Sequence, residues 1–370
     1  MKIAVIGLGT MGLGIAQTFA QAGFEVLATD SHAPARESAM ERLAAALAPR
    51  VDKGAITAEA RDAILARVRV VPALAGLSGA DLAIEAVLED LPLKQNIFRQ
   101  LEAILPGEAV LATNTSSLSV AAVAAGLAQP QQLLGLHFFN PAPVMKLVEL
   151  VAHPGTASAA LLRAREVAEA AGKTVVDAPD RPGFIVNRCA RPFYGEALAL
   201  LEEGHGPAQI DAAMMAAGYR LGPFALIDLV GADINLAATE SLLAAMDGHP
   251  RYHVFAALRD QVARGDLGRK TGRGFLFPDR AGEPPDDARA IALRIEATLI
   301  NEACWLLAEG GTTREGIDTA LKLGLNFPRG PFEMLASHGP AAIRQQLAEL
   351  QERAPVSLKP RYDPAPRLAP

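Results

Sequence analysis

The chain has 370 residues, half of them hydrophobic and 21% charged, enough to bury more than one core and too apolar for a disordered or fibrous protein. Its 35 Lys and Arg against 41 Asp and Glu leave a formal net charge of −6, which argues against a nucleic-acid backbone as partner. Two cysteines, Cys189 and Cys304, stand far apart without Cys-x-x-Cys spacing, which excludes a disulfide framework and a zinc finger and suits a reducing cytoplasm.

After Lys2 the first two dozen residues carry no charge, but three ordered glycines make them a turn and a helix rather than a secretory leader. The uncharged run 110–145 is interrupted by Asn114, Ser116, Gln131, Asn140 and the two prolines just beyond it, so no membrane span is expected. Short apolar runs at 2–7, 24–29, 68–71, 82–87, 109–114, 133–139, 147–151 and 174–179 alternate with helical stretches, the pattern of a mainly parallel sheet with crossover helices in an α/β protein. Residues 33–67, rich in Ala, Arg and Glu, exceed one crossover helix and predict a projecting helical hairpin.

From residue 182 helical periods dominate, which places a boundary at 180–182. This half contains a repeat: EALALLEEG (196–204) resembles EACWLLAEG (302–310), Ile-Asp at 210–211 matches 317–318, and LGPFALID (221–228) aligns with RGPFEMLA (329–336). The reading is therefore a dinucleotide-binding domain at 1–181, a helical domain at 182–280, a partial second copy at 288–350, and a flexible, poorly packed tail at 351–370 rich in Pro, Arg and Ala.

GLGTMG (7–12) has Gly-x-Gly-x-x-Gly spacing between a strand-like and a helix-like run. Gly7 permits the turn, Gly9 lets backbone approach a pyrophosphate, and Gly12 lets the helix pack closely, with Thr10 and Met11 opening that helix over the anion. Asp30, eighteen residues after Gly12, is placed to accept from the adenosine ribose and to repel a 2′-phosphate, so NAD is expected over NADP. In LGLHFFNPAPVMKLVELV (134–151) two apolar runs flank Asn140-Pro141-Ala142-Pro143. A turn centred near Pro143 would set His137 opposite Glu149, a histidine base whose tautomer a carboxylate fixes. The hydroxyls of TNTSSLS (113–119) suit either a substrate oxygen or a helix cap, and Asn187 in RPGFIVNR (181–188) is open between substrate binding and solvation. No cluster has metal-ligand spacing.

GLGTMG with Asp30, EAVLEDLPLK (85–94), NTSS (114–117), HFFNPAPVMKLVE (137–149), RPGFIVNR, GYRLGPFALIDLVG (218–231) and GRKTGRGF (268–275) together resemble the L-3-hydroxyacyl-CoA dehydrogenases, in family order across about residues 1–277. The resemblance implies NAD-dependent oxidation of a (S)-3-hydroxyacyl-CoA in fatty-acid β-oxidation, with a helical domain closing the cleft. By that resemblance His137 takes the hydroxyl proton as hydride leaves for nicotinamide, and Glu149 orients it. Ser116 and Asn187 hold substrate oxygens, Glu89, Lys94 and Asn140 contact NAD, Lys270 closes over the cofactor, and Lys53 faces the CoA phosphates. The second copy carries Leu293 where the first has Asn187, so it is expected to be structural. By covering the family's usual dimer surface it implies a pseudo-dimeric monomer, with a homodimer as the alternative. Leu276 stands where the family carries Tyr. Two other readings share the scaffold: a dehydrogenase of a free hydroxy acid of the gulonate type, which would not need Lys53, and a non-catalytic crystallin-like relative, which would not need His137, Glu149, Ser116 and Asn187 together. No motif reports acyl length or a second carboxylate on the acyl group.

Overall fold

Each of the eight apolar runs forms a strand: β1 (Lys2–Ile6), β2 (Glu25–Thr29), β3 (Val68–Val70), β4 (Leu82–Glu85), β5 (Val110–Thr113), β6 (Leu133–Phe138), β7 (Leu147–Ala152) and β8 (Thr174–Pro179). They make one sheet in the order β3-β2-β1-β4-β5-β6-β7-β8. Every neighbouring pair is parallel except β6 with β7. The exception follows from chain length: the short segment between β6 and β7 holds no helix, and a parallel return needs a crossover. The chain divides into two units, Met1–Arg181 and Pro182–Pro370, and the computed structural model describes residues 1–368.

In the first unit α1 (Thr10–Gln21) buries Ile15, Ala16 and Phe19 on the sheet. The 33–67 segment forms α2 (Ala33–Glu37), α3 (Ala39–Asp52) and α4 (Ala58–Ala66). It does not project as expected: Leu43, Leu47 and Ile64 are buried in the same core cluster as Phe19. Each Leu so buried is worth about 1.5–3 kcal/mol over exposure, which holds the hairpin down. The remaining helices are α5 (Leu91–Ile104), α6 (Val120–Ala124) and α7 (Ser158–Ala170). Asp90 caps α5 by accepting from Leu93 N at 2.8 Å. Asp180 accepts from the N–H groups of Val120 and Ala121 at 2.8 Å, supplying acceptors for otherwise unpaired donors at the start of α6.

The second unit contains α8 (Val186–Glu202), α9 (Pro207–Ala216), α10 (Pro223–Val230), α11 (Ala232–Ala245) and α12 (Ala256–Ala263), then α13 (Ala288–Glu309), α14 (Arg314–Leu325), α15 (Pro331–His338) and α16 (Pro340–Arg353). The first four and the last four are the two copies. Asp211 accepts from Phe224 N at 2.9 Å and Ala225 N at 2.8 Å, capping α10, and Asp318 accepts from Phe332 N at 2.8 Å at the start of α15. In both copies the glycine before the Pro-Phe pair is obligatory, since a Cβ on Gly222 or Gly330 would lie 2.3 Å from the capping carboxyl.

Between the copies the contacts are reciprocal. Arg188 pairs with Glu302 at 2.6 Å and Glu309 at 2.7 Å, and Arg294 pairs with Glu196 at 2.8 Å and Glu203 at 2.6 Å. Arg251 meets Glu302 at 3.0 Å, while Arg361 meets Glu196 at 3.2 Å. The Tyr252 hydroxyl donates to Glu302 at 2.5 Å and the Tyr362 hydroxyl to Glu196 at 3.1 Å. Residue i of one copy meets j of the other and j meets i, the signature of an isologous two-fold interface, here within one chain.

That symmetry corrects the reading of the tail. Residues 356–362 form 3-10 turns, and Arg361, Tyr362, Ala365 and Leu368 are buried. Pro-Arg-Tyr at 360–362 is the counterpart of Pro-Arg-Tyr at 250–252, so the tail up to residue 368 belongs to the second copy. Residues 369–370 lie outside the described residues.

Candidate active site

The end of β1 leads into the glycine loop. Gly7 has φ +96°, and a Cβ there would lie 2.6 Å from Ala86 O; a Cβ on Gly12 would lie 1.7 Å from Gly7 O. A Cβ on Gly9 would meet nothing within 4 Å. The outer glycines are therefore demanded by the fold, whereas the bare backbone at Gly9 serves an approaching group. Asp30 accepts from Leu8 N at 2.7 Å through one carboxylate oxygen and from His32 N at 2.8 Å through the other, which ties β2 to the loop. These features fit a dinucleotide: exposed Thr10 and half-buried Met11 open α1, and the unpaired N–H groups of a helix's first turn suit an anion.

On the same sheet, separated from β1 by β4 and β5, the end of β6 carries His137. The register pairs His137 with Glu149 on β7, and the His137 Nδ1 lies 2.7 Å from Glu149 Oε2 with both side chains buried. The midpoint expected near Pro143 thus falls in the turn that makes this pair. With the Glu149 carboxylate accepting from Nδ1, the tautomer places a lone pair on Nε2. Phe139 packs on the imidazole, ring centroids 4.5 Å apart.

The Asn114–Ser117 loop is held from two sides. Asn114 Oδ1 accepts from Phe138 N at 2.8 Å, fixing it to the end of β6. Glu89 Oε1 accepts from the Thr115 hydroxyl at 2.5 Å and from Ser116 N at 2.9 Å. Burial alone would raise the Glu89 carboxyl, but the Thr115 hydroxyl and the Lys94 ammonium hold it below its ordinary range. Lys94 is itself only 1% exposed and pairs with Glu85 at 2.6 Å and Glu89 at 3.1 Å. The structure therefore puts Glu89 under the loop and Lys94 beneath Glu89, with Ser116 exposed at the surface of the same loop.

Asn140 is exposed at the start of the turn. Lys173, which no motif singled out, clamps that turn: its buried ammonium donates to Ala142 O at 2.5 Å and Met145 O at 2.9 Å, and burial pulls its pKa down. A cavity of about 650 Å³ is lined by α1, the Asn140–Val144 turn, Arg42 and Arg50. Arg42 also donates to Leu8 O at 2.6 Å. The two arginines stand eight residues apart on α3, a same-face spacing that was open to sequence reading and was missed. Lys53, at the C-terminal end of α3, is exposed and is not among the residues lining this cavity.

In the second unit Asn187 is the second residue of α8. Lys270, in the 3-10 turn 269–271, pairs with Asp233 at 2.5 Å, and this ammonium lowers the Asp233 carboxyl. The loop around it is set by buried Asp228, which accepts from the N–H groups of Phe275, Leu276 and Phe277 at 2.8 Å. Gly274 must be glycine, because a Cβ there would lie 2.0 Å from Asp228 Oδ1. Among the described residues no group of three His, Cys, Asp or Glu could hold a metal ion, and no helix is long and apolar enough to cross a membrane.

Comparison with known proteins gives this arrangement a lineage. Residues 2–181 match the NAD-binding domain of 3-hydroxyacyl-CoA dehydrogenase, and residues 183–277 and again 291–368 match its C-terminal domain. The "3-hydroxyadipyl-CoA dehydrogenase" of Escherichia coli is 34% identical over 442 aligned positions, covering 94% of this chain and 93% of that protein. The "Probable 3-hydroxybutyryl-CoA dehydrogenase" of Bacillus subtilis is 39% identical over 276 positions, covering 74% of this chain and 96% of that one. A crystal structure titled 3-hydroxybutyryl-CoA dehydrogenase, from Escherichia coli, superposes with a TM-score of 0.91 at 33% identity over 100% of this chain and 97% of that one. The chain belongs to the 3-hydroxyacyl-CoA dehydrogenase family.

Proposed function

We propose that the protein oxidises (S)-3-hydroxyacyl-CoA to 3-oxoacyl-CoA with NAD, and that His137 is the general base. The observation that carries this reading is the buried His137–Glu149 pair at 2.7 Å, at the end of a strand whose following turn, Asn140–Val144, lines one cavity with the helix that the glycine loop opens. NAD, when bound, supplies the hydride acceptor. The chain's own residues do the rest: His137 Nε2 takes the 3-hydroxyl proton, and the Glu149 carboxylate stabilises the imidazolium so formed. Ser116 and Asn187 hold the substrate oxygens. Gly9, Asp30, Glu89 and Asn140 hold the cofactor, with Lys94 acting through Glu89 rather than by contact, since its ammonium is enclosed by two carboxylates. Lys53, Arg42 and Arg50 supply positive charge for the CoA phosphates, and Lys270 borders the cofactor. The relatives' names support both a butyryl and an adipyl acyl group.

Oxidation of NADH with acetoacetyl-CoA, beside free acetoacetate and beside NADPH, tests the reading. Turnover with the thioester and NADH alone is expected; binding of NADH without turnover of the thioester would refute it and favour the free-acid or non-catalytic relatives. We further propose that the chain is a cytoplasmic monomer, supported by its cysteine usage and by the reciprocal contacts between its two helical copies. Sedimentation at micromolar concentration is expected to give the mass of one chain, and a stable dimer would overturn this.

A further inference from the structure

We infer that Arg191 receives a second carboxylate at the far end of the acyl group, which makes the substrate class a dicarboxylic 3-hydroxyacyl-CoA; this rests on the function proposed above. Arg191 lies on α8, one turn beyond Asn187, and its Nε donates to Asn187 O at 3.1 Å. Its Nη1 donates to Asn235 O at 3.4 Å and to the Thr239 hydroxyl at 3.1 Å on α11. The guanidinium stacks over Tyr194, 5.0 Å from the ring centroid. Three fixed contacts and a ring thus orient it, and they leave Nη2 with no protein acceptor among the described residues.

What sets Arg191 apart is the lack of a counter-charge. Arg188, Arg294 and Arg361, which lie between the two copies, each face one or two glutamates, whereas Arg191 turns to α11 of its own copy. Arg191 is 8% exposed and has no carboxylate within ion-pair distance among the described residues. Burial accordingly pulls its pKa below the ordinary arginine value. A desolvated guanidinium without an anion is costly, and charge-assisted pairing with a carboxylate is the interaction its open donors suit.

The duplicated domain does not repeat this charge. Applying the 106-residue offset that relates Glu196 to Glu302, the counterparts of Asn187 and Arg191 are Leu293 and Ala297. Both polar groups occur together in the copy assigned to substrate and both are absent from the other. Residues four apart lie on one helix face, and one turn advances about 5.4 Å. The Arg191 side chain folds back toward Asn187, as its bond to Asn187 O shows, so an acyl chain held at Asn187 needs only a few methylenes to bring a terminal carboxylate to the guanidinium.

The test is kcat/KM for NADH-dependent reduction of 3-oxoadipyl-CoA against 3-oxohexanoyl-CoA, equal in length but ending in methyl, for the wild type, R191M and R191K. The wild type is expected to favour the dicarboxylic thioester at least about tenfold, R191M to lower that ratio at least about tenfold through KM, and R191K to keep part of it. A wild type that prefers the neutral thioester, or an R191M variant that slows both equally, overturns the inference. If R191M does not fold, the wild-type ratio and R191K decide. Reduction of neither thioester by the wild type would instead strike at the proposed function itself.

Discussion

Replacing Glu149 with Gln removes one negative charge from the dyad and leaves its size unchanged. The 2.7 Å contact between His137 Nδ1 and Glu149 Oε2 puts the two charge centres about 4 Å apart once the imidazole has taken a proton. At an effective dielectric of about 20 that attraction is worth about 4 kcal/mol, close to a factor of 10³ in rate. A glutamine dipole recovers part of it, so the expected loss in kcat for E149Q is about 10²–10³, and the amide also no longer dictates which ring nitrogen carries the proton. The assay is steady-state oxidation of NADH with saturating acetoacetyl-CoA across pH 6–9, with NADH affinity measured separately by fluorescence titration and folding by thermal melt. A kcat within about tenfold of wild type, or an NADH dissociation constant that rises as much as kcat falls, would show that the pair is an ion pair of the sheet and not the base.

Three further outcomes follow from the geometry. G9A should melt with the wild type, since its Cβ meets nothing within 4 Å, yet bind NADH at least about tenfold more weakly; G12A, whose Cβ would lie 1.7 Å from Gly7 O, should lose the fold of the loop, and equal melting of the two variants would refute this division. K173M removes the buried ammonium from Ala142 O and Met145 O and should cost about 2–3 kcal/mol while raising KM for NADH; an unchanged urea midpoint counts against the clamp. Burial, with a smaller push from the Asp228 charge, drives the Asp211 carboxyl up to about 7 against the opposing N–H groups of Phe224 and Ala225. The native state therefore holds the proton more tightly than the unfolded chain, so stability from this group is full below about pH 4 and is lost by up to about 4 kcal/mol as pH rises through 7. D211N should lack that slope in urea unfolding at pH 5 and pH 8, and parallel slopes would remove Asp211 as its source.

The strands and the His137–Glu149 register were legible because strand period and turn position are local properties, and the segment around Pro143 is too short for any return but an antiparallel one. Asp30 and the three glycines were legible for the same reason. Lys173 was not, because a lysine that meets two carbonyls 28 and 31 residues away leaves no pattern in its own neighbourhood. The apolar spacing of Leu43 and Leu47 signalled a helix, but whether that face covers the core or projects depends on where α1 and the sheet end up. Arg42 and Arg50 did carry a signal, the one-face spacing on α3, that only gained meaning once the glycine loop lay beside them.

The tail shows a different limit. Its composition suggests poor packing, yet Pro-Arg-Tyr recurs at 250–252 and 360–362, so the tail carries the second copy of a segment that is built into the first. The same bookkeeping separates the two uses of the duplicated domain. Arg188 and Arg294, Glu196 and Glu302, Glu203 and Glu309 are kept in both copies, because an isologous contact needs each partner to supply both halves of every ion pair. Asn187 and Arg191 are present in one copy and replaced by Leu293 and Ala297 in the other. A residue required only by the interface must appear twice, and a residue required by the substrate need appear once. By that criterion Arg191 falls with Asn187 among the residues that the contact between the copies does not require, while its neighbour Arg188, three residues earlier on the same helix, falls on the side of assembly.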